Sequence, residues 1–106
     1  MEKTITIDGK EVRLVANGAT PRLYRSMFKK DVFADMTGAI SSNGEIKSAE
    51  VFENLAFVMA KQGGLEGDID SWLASMDSPT AVITVAPDIL DLWADTNETI
   101  ATGKKK

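Results

Sequence analysis

The sequence predicts a mainly α (α+β) fold: a small helical domain of about four or five helices carrying an N-terminal β-hairpin. Three observations predict it. Asp8-Gly9 separates two short runs of alternating character. Apolar residues then recur at helical spacing in several stretches between residues 20 and 93. The chain has 106 residues, 43% hydrophobic and 26% charged, which is the size and balance of one globular unit. A chain of this length buries roughly two thirds of its unfolded surface, enough for one core without staples.

The hairpin spans about residues 4–15. Thr4-Ile5-Thr6-Ile7 alternates with period two, and Val12-Arg13-Leu14-Val15 resumes the pattern after Asp8-Gly9. Glycine accepts positive φ at little cost, so Asp-Gly between β-branched runs marks a tight turn. Lys10 and Glu11 read as an extension of that turn. A lone hairpin is marginal in water, so this one must pack on the helices.

Asn17-Gly18-Ala19 is a connector. Thr20 stands where an N-cap belongs, with Pro21 at the first helical position, where a missing N–H costs nothing. Leu23, Tyr24, Met27 and Phe28 form the apolar face. Asp31 to Met36 either continues this helix or forms a second short one ending near Gly38, and Ser41 to Gly44 is a loop.

Ser48 caps the next helix, with Val51, Phe52, Leu55, Ala56 and Met59 as its stripe. Phe57 and Val58 widen that stripe, so more than one side is buried. Gly63-Gly64 stops it. Asp68 caps a short helix presenting Ile69, Trp72, Leu73 and Met76. Ser78-Pro79 repeats the cap-then-proline signal. Thr80 to Ala86 is rich in β-branched residues and reads locally as strand. Pro87 kinks a preceding helix or begins another, with Ile89, Leu90, Leu92 and Trp93 as its apolar face. Residues 1–95 thus make one domain and 96–106 a flexible polar and basic tail.

Little in the chain suggests catalysis. There is no histidine and no cysteine, so the commonest general base near neutral pH, the thiol nucleophile, thiolate metal sites and disulfides are all excluded. No P-loop and no G-x-S-x-G elbow is present. Asp68-Ile69-Asp70 lacks a calcium-loop ligand pattern. No catalytic residue, cofactor or metal is therefore assigned. The formal net charge of −4 argues against a phosphate-backbone partner. No segment has the roughly 18 uninterrupted apolar residues of a membrane helix, and Met1 to Ile5 has no signal-like apolar run.

Some features read two ways. Arg22, Arg25 and Lys29 share one helical face, either simply solvated or facing a partner's acidic patch. Met27, Met36, Met59 and Met76 lie in apolar stripes, as core filler or as the lining of an adaptable groove. Trp72 and Trp93 anchor either a core or an interface, and Trp93 is the better interface candidate.

Three stretches carry a family resemblance. They are Gly18-Ala19-Thr20-Pro21 with Tyr24-Arg25 and Phe28, Glu53-Asn54-Leu55-Ala56, and Ile89-Leu90-Asp91-Leu92-Trp93. Together they resemble the tail assembly chaperones of long-tailed (siphovirus-type) phages and prophages of Gram-positive bacteria. The glycine-rich connector Gly63-Gly64-Leu65-Glu66-Gly67 departs from that pattern as a more flexible link.

The resemblance implies a helix over Thr80 to Ala86. It also implies a cytoplasmic, non-enzymatic protein that coats the long, apolar, helical tape-measure protein in many copies and is absent from the mature virion. The implied partners are the tape-measure protein, the tail-tube protein through a longer frameshifted form, and other copies of the chain itself. Gly103-Lys104-Lys105-Lys106 is compatible with an adenine-rich slippery sequence for such a frameshift. Tyr24, Arg25, Met27, Phe28 and Trp93 are the candidate client-binding residues. The alternative is a small acidic adaptor or regulator of a host or phage protein.

Overall fold

A computed structural model describes the backbone of residues 1–105 and the side chains of residues 1–95. It contains an antiparallel hairpin, β1 (Glu2–Ile7) and β2 (Lys10–Val15), followed by six helices. These are α1 (Thr20–Phe28), α2 (Val32–Ala39), α3 (Ala49–Gln62), α4 (Ile69–Ala74), α5 (Ala81–Thr84) and α6 (Ala86–Lys105). The tail expected over 96–106 lies outside the fully described residues.

Asp8 at φ 54° and Gly9 at φ 81° form a two-residue turn, so Ile7 pairs directly with Lys10. Lys10 and Glu11 therefore belong to β2, not to the turn. Met1 and Ala16 exchange both backbone hydrogen bonds and extend the ladder by one pair. Ile5, Ile7 and Leu14 point inward, whereas Glu2, Thr4, Thr6, Glu11 and Arg13 face solvent. On that outer face Arg13 reaches Glu2 at 2.9 Å, and its donated hydrogen bond holds the Glu2 carboxyl below its usual range.

The expectation that Thr20 caps α1 is corrected. Ala19 takes the N-cap position without a side-chain bond, and Thr20 is already helical and fully buried. Its hydroxyl instead accepts from Asn17 N–H and donates to Gln62 of α3, so it serves a tertiary contact. The helix ends at Lys29, which takes a left-handed conformation (φ 59°) and donates its N–H to the Arg25 carbonyl. This places a side chain in a region that costs about 1 kcal/mol. Asp31 then caps a new helix, its carboxylate accepting from Phe33 and Ala34 N–H at 2.8 and 3.2 Å. Residues 31–36 thus open a second helix.

Helix α3 is the axis of the domain. Ser48 caps it through Val51 N–H, and every residue from Asn54 to Ala60 is buried. It packs on β2, α1, α2, α5 and α6. Burying a side chain such as Phe52, Leu55 or Met59 contributes about 1.5–3 kcal/mol.

At its C-terminus the chain passes so close to β2 that a Cβ on Gly63 would lie 2.0 Å from the Arg13 carbonyl oxygen. Only glycine fits there. The following connector is tied down rather than loose: Leu65 N–H bonds the Ala60 carbonyl, and Lys61 Nζ bonds the Gly67 carbonyl.

Asp68 caps α4 through Ser71 N–H at 2.7 Å, and that bond lowers its carboxyl from the usual range. Trp72 on α4 packs its ring 5.7 Å from that of Phe57. Ser78 does not cap a helix; its hydroxyl accepts from Thr80 N–H within a turn. Residues 81–84 are helical, not extended, because Ala81 and Val82 bury against α3. Pro87 falls in the first turn of α6, whose inner face is Ala86, Ile89, Leu92 and Trp93. Lys3 of β1 reaches Asp88 of α6 at 3.2 Å. Among the described residues, no helix is long and apolar enough to cross a membrane.

Candidate functional site

The capping of α2 by Asp31 sets the phase of that helix. Val32, Met36 and Ala39 point into the core, which leaves Phe33, Thr37 and Ile40 along its outer edge. Phe33 is half exposed, at 50%. The chain after α2 doubles back. Ile40 bridges Ile46, Ser41 N–H bonds the Glu45 carbonyl, and Lys47 N–H bonds the Ala39 carbonyl at 2.6 Å. The Ser41 hydroxyl also contacts Asn43 and accepts from Glu45 N–H, so the loop is internally fixed. That rigid loop holds Ile46 out at 41% exposure.

Opposite this edge runs α6. Leu90 and Trp93, three residues apart, face α2 across a groove of 310 Å³ lined also by Phe33, Met36, Thr37 and Ile40. The Phe33 and Trp93 rings lie 5.4 Å apart, tilted by 42°. An adjoining hollow of 180 Å³ shares Ile40 and Leu90 and adds Ile46, Phe52, Pro87 and Asp91. The two form an apolar trough between α2, its loop and α6, with one carboxylate on its rim. At the other end Phe33 also borders a smaller hollow of 120 Å³ with Arg25, Pro21 and Asp31. The trough thus carries the Asp91 carboxylate at one end and the Arg25 guanidinium with the Asp31 carboxylate at the other. A contiguous apolar surface rimmed by polar residues is a mark of an interaction site.

The candidate residues named from sequence separate into three groups. Trp93 lines the groove, although only 6% of it is exposed. Arg25 is exposed beside Phe33 at the groove's end, and Met27 is exposed at 37%. Tyr24 has no exposed surface. It donates its hydroxyl to Asp35 Oδ2 at 2.8 Å, and burial, then Asp35, push its phenol well above the ordinary range. Phe28 is half-buried, edge-on against Tyr24 at 5.1 Å. Tyr24 and Phe28 therefore serve largely inside, joining α1 to α2. Met36 lines the groove, Met59 lies fully in the core and Met76 packs partly against it.

Phe33, Ile40, Ile46 and Leu90 were not singled out from sequence as partner-binding. The available signal was Asp31, a cap residue three before Ala34, which resets the helical phase. Arg22, Arg25, Lys29 and Lys30 all face solvent. Among the described residues, no group of three or more carboxylates could hold a metal ion. Comparison with known proteins finds no matching family model, no matching curated protein and no matching solved structure.

Proposed function

We propose that this chain is a phage tail assembly chaperone whose groove between α2 and α6 holds apolar helical segments of the tape-measure protein. The observation that carries the reading is the exposure of Phe33 and Ile46 around a trough floored by Met36, Ile40, Leu90 and Trp93. The sequence resemblance supplies the identity of the client. In this reading the chain works in the bacterial cytoplasm, is absent from the finished virion, and helps recruit the tail tube through a longer frameshifted form.

The chemistry suits reversible holding. Helix-in-groove recognition uses a few apolar anchors spaced along one helical face. Two or three anchors give a gross attraction of roughly 3–9 kcal/mol, most of it offset by an association cost of about 4–15 kcal/mol. One copy therefore binds weakly. Many copies along one client bind together through avidity, and each remains displaceable when the tube polymerises. The net charge of −4 keeps the coated client hydrated and mutually repelling.

Co-expression with the long helical protein encoded nearby tests the proposal. The wild-type chain keeps that protein soluble and co-purifies in several copies, whereas Phe33→Asp and Ile46→Asp lose co-purification at unchanged melting temperature. A client that stays insoluble with the wild-type chain, or stays bound to both variants, overturns the reading.

A further inference from the structure

The outer face of α1 carries charge that the fold does not use. Residues 20–30 hold four basic side chains and no acidic one, in a chain with 16 acidic and 12 basic residues. On a helix Arg22, Arg25 and Lys29 fall within an arc of about 60° and span about 10 Å. Thr20 and Tyr24 bury the opposite side, so this stripe is held outward.

Local stability does not account for the stripe. Like charges at i, i+3 and i, i+4 destabilise a helix, and both spacings occur here. Cations suit a helix C-terminus, which explains Arg25 and Lys29, whose Nζ also bonds the Ser26 carbonyl at 3.0 Å. Arg22 sits in the first turn, where the same dipole opposes it. The side chains of Arg22, Arg25 and Lys30 form no hydrogen bond or ion pair among the described residues. The acids in the first turn of α2 are engaged elsewhere: Asp31 caps that helix, and Asp35 accepts from Tyr24.

The stripe adjoins the groove. Arg25 and Phe33 line one hollow, and Phe33 continues into the trough between α2 and α6. Asp91 lies on the rim at the far end. Resting on the groove reading above, we infer that the segment held in the trough runs past Phe33 into an acidic stretch lying over α1. Its carboxylates meet Arg22, Arg25 and Lys29, and the arginine forks can each take one with paired bonds. The reverse placement would set the acidic stretch against Asp91.

Apolar anchors and acidic stretch act together. An exposed ion pair changes an equilibrium by no more than about fivefold, so the stripe alone holds no partner. Added to anchors already seated in the groove, it tightens the complex, speeds encounter and fixes which way the segment lies. A nucleic acid fits less well, because the net charge of −4 repels a long polyanion, whereas a short acidic stretch meets only the stripe.

Fluorescence anisotropy with the full chain tests this. The probe is a synthetic helical peptide with leucines at i, i+3, i+4 and i+7, ending in either a run of glutamates or a run of glutamines. The glutamate peptide binds the wild-type chain about tenfold tighter at low salt, and the advantage disappears at about 1 M salt. Arg22→Glu relieves the repulsion and the dipole clash, so melting temperature holds or rises, yet the advantage falls to about twofold or less. Phe33→Asp weakens both peptides. Equal affinity for the two peptides, with Phe33→Asp still weakening both, leaves the groove standing and overturns this inference. Failure of both peptides to bind overturns the groove reading and this inference with it. A fall in melting temperature with Arg22→Glu, or a DNA duplex that binds more tightly than the glutamate peptide, also overturns it.

Discussion

The hydroxyl of Thr20 donates to Oε1 of Gln62 at 2.6 Å, tying the first turn of α1 to the last residue of α3 across 42 residues of chain. Gln62 in turn donates through Nε2 to Asn17 Oδ1 at 2.8 Å, and Asn17 N–H donates to the Thr20 hydroxyl at 2.9 Å. The two side chains of Thr20 and Gln62 close a ring with the side chain and backbone N–H of Asn17. Asn17 Oδ1 also accepts from Ala19 N–H, so the same ring orders the connector leading into α1. Replacing Thr20 with valine keeps the shape but takes the partner from a part-buried donor, Asn17 N–H, and a part-buried acceptor, Gln62 Oε1. Thr20→Val therefore costs about 1–3 kcal/mol, and pairing it with Gln62→Leu costs less than the sum. A double-mutant cycle by urea denaturation measures the coupling; strict additivity would contradict the ring.

Gly63→Ala forces a methyl group into the Arg13 carbonyl and lowers stability by at least about 2 kcal/mol. Gly38→Ala, inside α2 with open space around its Cβ position, has the opposite sign. It stabilises by about 0.5–1 kcal/mol through helix propensity. Melting curves of the pair separate a steric glycine from a replaceable one, since about 1 kcal/mol moves Tm by several degrees at this chain length.

Tyr24 is the sole tyrosine, so its titration is readable in isolation. Its pKa in the fold lies above the unfolded value, by burial first and by Asp35 second. Stability is thus fully present below the unfolded value of about 10 and is lost as pH rises above it. Ultraviolet absorbance shows no phenolate at about pH 10 in the native protein and half ionisation in denaturant. Ionisation of the native phenol at its ordinary pKa would mean that Tyr24 is solvated.

Glu53 has the reverse consequence for an acid. Burial, then the charge of Glu50, raise its pKa in the fold, so its ionised form is disfavoured there. The penalty is full above the folded pKa and vanishes as pH falls below the unfolded value of about 4.3. Glu53→Gln accordingly raises Tm at neutral pH and loses that advantage near pH 4. An equal gain at both pH values would assign the effect to packing rather than charge.

Much of the architecture was legible wherever a local rule agreed with the tertiary structure. Asp8-Gly9 marked the turn, Ser48 and Asp68 marked caps, and the wide apolar stripe of residues 51–59 marked the central helix. Thr20 misled because a buried hydroxyl followed by proline looks the same whether it caps a helix or bonds a distant Gln62. Residues 81–84 misled locally because β-branched propensity is weak, and burial of Ala81 and Val82 on α3 outweighs it.

The groove was the least legible part. Periodicity counted from Leu23, Tyr24, Met27 and Phe28 does not continue past the left-handed Lys29, so Phe33 falls on a face that the first helix does not predict. Ile46 is exposed by a loop whose hydrogen bonds have no sequence signature beyond Gly44. Trp93 was reachable through its bulk and its place at the end of an apolar stripe, and Met36 through the flexible side chain that suits a groove lining.

The central position of α3 also governs how the molecule comes apart. The hairpin, α1, α2, α5 and α6 each pack on this one helix. Peripheral elements can then open one at a time while α3 keeps its other neighbours, so local openings need not propagate. Amide hydrogen exchange should be slowest from Leu55 to Ala60, measuring global unfolding there, and faster through sub-global steps in the elements packed around α3. Each outer element can thus loosen and reseat while the buried axis keeps the rest of the chain folded.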